Sequence, residues 1–353
     1  VSGLRIAIVS DAWRPQINGV VRTIETVARL LRADGHDVEV FGPDRFRTVP
    51  CPTYPEIRLS LFPGARLAHM LQFYAPDAIH LVTEGPLGWA ARKFCLARNI
   101  PFTTAYHTRF PEYVHARIRL PLSWSYAFVR RFHAPSAAVM VVAQSIRDEL
   151  TKRGFANLVP WSRGVDIAAF HPRPRGDTGD ARPIWLYAGR VAIEKNIKAF
   201  LDLDLPGTKW VVGGGPQLGR LQRRYREVRF FGSVDTDELS SRYAAADCFV
   251  FPSRTDTFGL VMVEALASGV PVAGYPVPGP LDVVTDPKVG ALDENLRTAC
   301  LAAIGRDPAD CRRHAETFTW ERCARQFLAT LQPIPRAAWQ PLKRRALPDA
   351  AVS

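Results

Sequence analysis

Short β-branched and aromatic runs alternate with longer stretches of helical spacing from the first residues onward, and this alternation occurs twice. In the first series, Arg5 to Ser10, Val38 to Phe41, Ala78 to Val82, Phe102 to Tyr106 and Ala138 to Val142 have the near-continuous apolar character of strands buried on both faces. The second series supplies Ile184 to Ala188, Trp210 to Gly213, Val228 to Phe231, Cys248 to Pro252 and Pro271 to Ala273. Strands that alternate with helices are joined by crossovers, which build a parallel sheet covered on both sides. Two such series in 353 residues predict an α/β protein of two doubly wound, Rossmann-like halves.

Between the series, His171 to Pro183 is rich in proline, arginine, glycine and aspartate and lacks apolar periodicity, the pattern of an exposed linker. Beyond the second series, Trp320 to Leu331 has helical spacing, and the tail after it carries Trp339 and the basic run Lys343 to Arg345. The expected division is therefore 1–172, 173–317, and a helix with a basic tail over 318–353.

No stretch approaches the roughly 18 uninterrupted apolar residues of a membrane span, and the first residues lack the basic-then-apolar pattern of a secretory signal. A cytoplasmic protein is expected. Six cysteines form no CxxC pair, so neither a disulfide framework nor a zinc site is expected and the thiols read as reduced packing residues. A formal charge of +12 calls for an anionic partner: a nucleotide, a nucleic acid or a membrane surface.

Four stretches carry chemistry. The first strand ends in Ser10-Asp11 and leads to Asn18-Gly19-Val20, just before a helix patterned by Val21, Ile24, Val27, Ala28 and Leu31. A helix N-terminus opened by glycine suits a phosphate, although a tight turn with no ligand has the same appearance. Gly189-Arg190 follows the first strand of the second series, with Glu194-Lys195-Asn196 close behind. Two cations at a strand's carboxyl end suit a diphosphate and make a metal unnecessary; the plain alternative is a pair of solvated surface cations. Gly213-Gly214-Gly215-Pro216 marks a turn where a ligand can approach the backbone.

The fourth stretch runs from Ser253 to Pro271. Its two carboxylates, Asp256 and Glu264, have seven residues between them, the first in a loop and the second inside an apolar helix. They can reach hydroxyls at different places on one extended ligand, while the N–H groups of Phe258, Gly259 and Leu260 open the helix toward a phosphate. A buried Glu264 is costly unless paired. Asp202-Leu203-Asp204 matches a metal-binding DxD signature, but it lies between a helix and Leu205-Pro206-Gly207 and reads as a connection.

The Asp256 to Glu264 spacing resembles the E-x7-E motif of the family 4 retaining glycosyltransferases, with aspartate in place of the first glutamate. The resemblance extends through Asn18-Gly19-Val20, Tyr106-His107-Thr108, Trp161 to Asp166, Phe170-His171-Pro172, Gly189 to Asn196 and the Gly215 turn. It implies the GT-B fold, two Rossmann-like domains facing across a cleft, with a nucleotide diphospho-sugar as donor and no further cofactor. It further implies that Arg190 and Lys195 hold the diphosphate, Asp256 contacts the sugar, Glu264 the ribose, and His107 lies beside the anomeric carbon. Phe230 to Val234 matches the region that frames the nucleotide base.

From Arg109 to His133 five arginines face a single acidic residue, Glu112, and aromatic rings are interleaved with them. Arg109, Tyr113, Arg117, Arg119, Trp124, Arg130 and Arg131 read as a basic and aromatic surface for anionic lipid headgroups. An arginine-laced helix pair covering the sheet is the alternative. Leu59 to Leu61, Phe62-Pro63-Gly64 and Arg66 form a second apolar and basic segment. Similarity to sulfolipid and glycosyl-diacylglycerol synthases, at Tyr106-His107-Thr108, Leu158 to Asp166 and Cys51-Pro52, implies diacylglycerol as acceptor and UDP-glucose or UDP-glucuronate as donor. Mannosyl transfer from GDP-mannose to another lipid or a glycan is the nearest rival, and a nucleotide-sugar epimerase or phosphorylase a more distant one. A nucleic-acid-binding protein is disfavoured because no recognised nucleic-acid motif is present.

Overall fold

The structure is a computed structural model that describes residues 3–16, 18–51 and 54–339. Its first part contains β1 (Arg5–Val9), α1 (Gly19–Ala33), β2 (Asp37–Phe41), the strands β3 (Thr48–Cys51) and β4 (Tyr54–Ser60), and α2 (Gly64–Tyr74). It continues through β5 (Ala78–Leu81), α3 (Pro86–Ala97), β6 (Thr103–Tyr106), α4 (Phe110–Ile118), α5 (Leu122–His133), β7 (Ala138–Val141), α6 (Gln144–Lys152) and β8 (Leu158–Pro160). The second part opens with β9 (Ile184–Ala188), α7 (Ile197–Leu201), β10 (Thr208–Val212), α8 (Leu218–Arg224), β11 (Arg229–Gly232) and α9 (Thr236–Ala245). It ends with β12 (Cys248–Phe251), α10 (Leu260–Ala267), β13 (Val272–Gly274), α11 (Pro280–Val283), β14 (Gly290–Leu292), α12 (Leu296–Ala303), α13 (Pro308–Ala315) and α14 (Trp320–Thr330).

Among the described residues the strands form two parallel sheets, in the orders β2-β1-β5-β6-β7-β8 and β11-β10-β9-β12-β13-β14. In the first, Ile6 lies between Val38 and Ala78; in the second, Trp185 lies between Lys209 and Cys248. Each order reverses direction beside its first strand, between β1 and β5 and between β9 and β12. At such a point adjacent crossovers leave to opposite faces, and a crevice opens outside the strands' carboxyl ends. Each expected strand is present, within two residues of its expected ends.

Strands β3, β4, β8 and β14 are not among those expected from the apolar runs. The first two form a separate antiparallel hairpin that pairs Val49 with Leu59, and its polar, proline-bearing strands lack the apolar run that marks a buried strand. The other two are three-residue edge strands.

Helix α1 forms because Asn18 caps it, accepting from the N–H groups of Val20 and Val21, and because Ile24, Val27, Ala28 and Leu31 make one apolar stripe. That stripe packs with Trp161, Trp320, Cys323 and Phe327, so the last helix, α14, rests on the first part of the chain. The Trp161 indole donates to Cys323 O at 3.1 Å and Ser162 N–H to Gln326 Oε1 at 2.7 Å. Trp339 follows α14 and donates to Pro76 O at 3.1 Å. Lys343 to Arg345 and Pro52 lie outside the described residues.

The 171–183 segment has neither helix nor strand, as the sequence predicts, but it is pinned at several points: Arg175 and Arg182 pair with Asp247, and Asp180 with Arg229. Cys95, Cys248, Cys300, Cys311 and Cys323 are buried thiols without disulfides.

Candidate active site

The crevice of the second sheet gathers the loops after β9 and β12. The β9 loop passes Gly189-Arg190 into a 3-10 turn, Ile193–Lys195, and Asn196 adopts a left-handed φ of 51° before α7. Asn196 Nδ2 donates to Pro252 O at 3.1 Å and Thr255 Oγ1 to Glu194 O at 3.0 Å, which ties the two loops together. The result is an ion pair between Lys195 Nζ and Asp256 Oδ1. Burial opposes the charge on Lys195, but Asp256 and the Tyr113 hydroxyl outweigh it and raise the ammonium's pKa, so it stays protonated. The Tyr187 hydroxyl donates to Arg190 O at 2.7 Å and shapes the same turn.

Two glycines are required by close approach. A Cβ at Gly215 would lie 2.4 Å from Val191 O, and φ there is 152°. Gly259, at φ 87°, precedes α10 without any side-chain cap, and a Cβ there would meet the Phe251 ring at 2.9 Å. Within the first turn of α10 the Met262 N–H donates to Gly259 O at 3.0 Å, while Phe258 is buried against Phe318 and Val234 packs on the core of the second sheet.

Three contacts bring the first sheet's crevice against this one. Thr257 Oγ1 donates to His107 O at 2.7 Å. The Gly19 Cβ position is 3.6 Å from Leu260 Cδ1, so the N-termini of α1 and α10 face each other. Arg22, one turn into α1, pairs with Oε1 of Glu264. Glu264 is only 3% exposed, and the Tyr243 hydroxyl donates to its Oε2 at 3.2 Å. Burial raises the Glu264 pKa and Arg22 opposes the shift. The carboxylate assigned to a ribose by resemblance therefore already has a partner on each oxygen.

His107 follows β6 at its carboxyl end. Burial, then the neighbouring Arg163, His80 and His133, hold its pKa well below the ordinary histidine value, so the ring is neutral. His107 Nε2 and Asp256 Oδ2 are both shut off from water with no hydrogen-bonding partner among the described residues. Buried polar atoms are normally satisfied, so both atoms call for a partner, and the Thr257–His107 hydrogen bond brings the loops that carry them together. Asp202, from the DxD sequence, is bound instead by Lys198 and Tyr225.

The basic and aromatic segment divides in two. Arg109 pairs with Glu112 and Glu149, and the Tyr126 hydroxyl bonds the same two carboxylates, so Arg109 belongs to an internal network. Tyr113 faces the Lys195–Asp256 pair, and burial raises its pKa to about 12. These two are corrections to the lipid-facing expectation: their ring and guanidinium satisfy charges inside the molecule. Arg130 donates to Arg153 O at 2.9 Å. It is nevertheless exposed, as are Arg119 and Arg131, together with Ile118 (67%), Trp124 (70%) and Phe128 (47%). The side chain of Arg117 lies outside the described residues.

Arg22, Arg163, Tyr243 and Thr257 were not singled out from the sequence. Arg22 had a signal, since it lies four residues after the Asn18 cap; the others gain meaning only from their neighbours.

Residues 17–169 match the family description "Glycosyltransferase Family 4", and residues 173–301 match "Glycosyl transferases group 1". The chain belongs to the family 4 glycosyltransferases. A GDP-mannose-dependent alpha-mannosyltransferase of Mycobacterium tuberculosis is 29% identical over 316 residues, spanning 82% of this chain and 84% of its own. A sulfoquinovosyl transferase of Arabidopsis thaliana is 28% identical over 346 residues, 88% of this chain and 66% of its own. An alpha-monoglucosyldiacylglycerol synthase of Streptococcus pneumoniae is 28% identical over 363 residues, 88% of this chain and 80% of its own. Among solved structures, a sucrose-phosphate synthase from Thermosynechococcus elongatus superposes with a TM-score of 0.75 at 22% identity, covering 92% of this chain and 98% of that one. The transferase thus has the GT-B fold, and glycosyltransferases of this fold draw their sugar from a nucleotide sugar. No helix among the described residues is long and apolar enough to cross a membrane.

Proposed function

We propose that the transferase moves a hexose or uronic acid from a nucleotide diphospho-sugar to diacylglycerol at the inner membrane surface, with retention of anomeric configuration. The observation that carries the donor site is the Lys195–Asp256 pair at the strand reversal, together with the unsatisfied Asp256 Oδ2 and His107 Nε2. Lys195 and Arg190 neutralise the leaving diphosphate, the α10 N-terminus adds its N–H groups, and no metal is needed. Asp256 Oδ2 and His107 orient the sugar. The acceptor oxygen bonds to the anomeric carbon on the face the phosphate leaves, the carbon–oxygen bond to phosphate breaks, and the acceptor proton passes to the departing phosphate oxygen. Positioning and charge stabilisation supply the rate, and closure of the cleft excludes water.

Helices α4 and α5 support the lipid acceptor. One face carries Tyr113 into the cleft, and elsewhere the same helices expose Ile118, Trp124 and Phe128 beside Arg119 and Arg131. Rings at an interface with arginines near phosphate form a monotopic docking surface. The streptococcal relative is named a monoglucosyldiacylglycerol synthase, which agrees with this reading, and the mycobacterial relative supports GDP-mannose as the alternative donor.

The deciding experiment incubates the protein with diacylglycerol vesicles and UDP-glucose, UDP-glucuronate or GDP-mannose, then separates the lipids. One new glycolipid establishes acceptor and donor together. Nucleotide release without a lipid product eliminates diacylglycerol. Trp124→Ser with Phe128→Ser should lower vesicle binding by roughly tenfold while donor binding is unchanged.

A further inference from the structure

Arg163 is 5% exposed, and no carboxylate among the described residues forms an ion pair with it. A buried cation without a counter-charge is costly, and burial lowers the Arg163 pKa to about 10. Its position is nevertheless tightly defined. The guanidinium lies 4.1 Å over the Trp161 ring, and Nη1 donates to Trp161 O at 3.2 Å and Ser162 O at 3.0 Å. The Cys323 thiol lies within its hydrogen-bonding reach, and Nη2 contacts His107 Nδ1 at 3.2 Å.

That contact has one chemical meaning. A guanidinium has only donors, so Nδ1 of His107 must present its lone pair. The ring is neutral, so its single proton is then on Nε2, the atom with no partner among the described residues. Trp161 closes the arrangement, its indole edge-on to the imidazole at 5.4 Å and itself anchored to Cys323 O of α14.

We propose that Arg163 is a positioning residue that fixes His107 as the Nε2–H tautomer, making His107 a hydrogen-bond donor to the transferred sugar and unable to act as a base. This rests on the reading of His107 as a wall of the sugar site. It explains a buried cation on an element remote from the diphosphate cations, and it assigns the acceptor's proton to a group other than His107.

Imidazole nitrogen NMR on 15N-histidine-labelled full-length protein tests the tautomer without any substrate, with the His107 signal assigned by its loss in His107→Gln. The expected spectrum has an unprotonated Nδ1 and a protonated Nε2. Arg163→Lys should retain it, and Arg163→Met should give a tautomer mixture at unchanged thermal stability or, if the fold is weakened, at a temperature where the variant is still native. A protonated Nδ1 in the unaltered protein, or an unchanged tautomer in Arg163→Met, overturns the proposal.

The donor role has its own test. Glutamine carries an amide N–H near the reach of Nε2, so His107→Gln should turn over roughly tenfold faster than His107→Ala, the worth of one hydrogen bond. Equal loss in both variants overturns the donor role. Normal turnover in His107→Ala removes His107 from the sugar site and with it that part of the functional reading, while the tautomer spectrum still decides the Arg163 contact.

Discussion

Lys195 pairs with Asp256 beside the Tyr113 phenol, and as a lysine proposed to neutralise the leaving diphosphate its removal should lower turnover. Lys195→Ala is expected to lower kcat by at least about tenfold, since a charge-assisted hydrogen bond to the leaving group is lost. Circular dichroism should be unchanged, and near-normal turnover would take Lys195 out of the diphosphate site. His80 gives a prediction about pH. Burial, then Arg163 and His133, lower its pKa from 6.5 to about 3, so the folded protein refuses a proton that the unfolded chain accepts below pH 6.5. Stability is complete above 6.5 and falls as the pH drops toward 3, His80 alone costing about 2 kcal/mol by pH 5. His107 acts in the same direction. His80→Asn should flatten the loss of Tm between about pH 7.5 and pH 5; an unaltered slope would show that other groups set it.

At the level of elements, the docking of α14 depends on a position with no side chain. A Cβ at Gly164 would lie 2.3 Å from Trp320 N and 2.6 Å from Trp320 Cα, both backbone atoms that cannot yield without moving the helix. Gly164→Ala should therefore destabilise by about 1–3 kcal/mol through overpacking. Because Trp161 and Cys323 also position Arg163, turnover should fall more than the Tm change explains; a variant of normal stability would show that the helix adjusts freely. Strands and helices were legible wherever apolar residues ran on or recurred at helical spacing. The β3–β4 hairpin was not legible, since its pairing comes from its partner strand and not from burial of both faces. Nor was the division of α4 and α5, where Arg109 and Tyr113 turn inward while Trp124 and Phe128 face out, because the sequence gives the spacing of charges but not which acidic residue, Glu149, awaits them.

Across the whole molecule, the two sheets are joined at their crevices by the Arg22–Glu264 pair and the Thr257–His107 hydrogen bond. Arg22→Ala leaves Glu264 buried beside Tyr243 alone, and burial of an uncompensated carboxylate favours opening. Small-angle scattering of the donor-free variant should show a larger radius of gyration, reversed by saturating donor; identical profiles would deny the pair a part in closure. The sequence by itself determined the two parallel-sheet halves, the exposed segment between them and the cap of α1, because periodicity, glycine and capping are local properties written in consecutive residues. It also carried the resemblance to the glycosyltransferase family. Only the tertiary structure decided that Glu264 is already bonded by Arg22 and Tyr243, that Tyr113 belongs to the cleft, and that Arg163 faces His107. These pairs are separated by tens to hundreds of residues, and the partner that satisfies a buried charge is set by how two sheets and a returning helix pack, a choice that no stretch of consecutive residues contains.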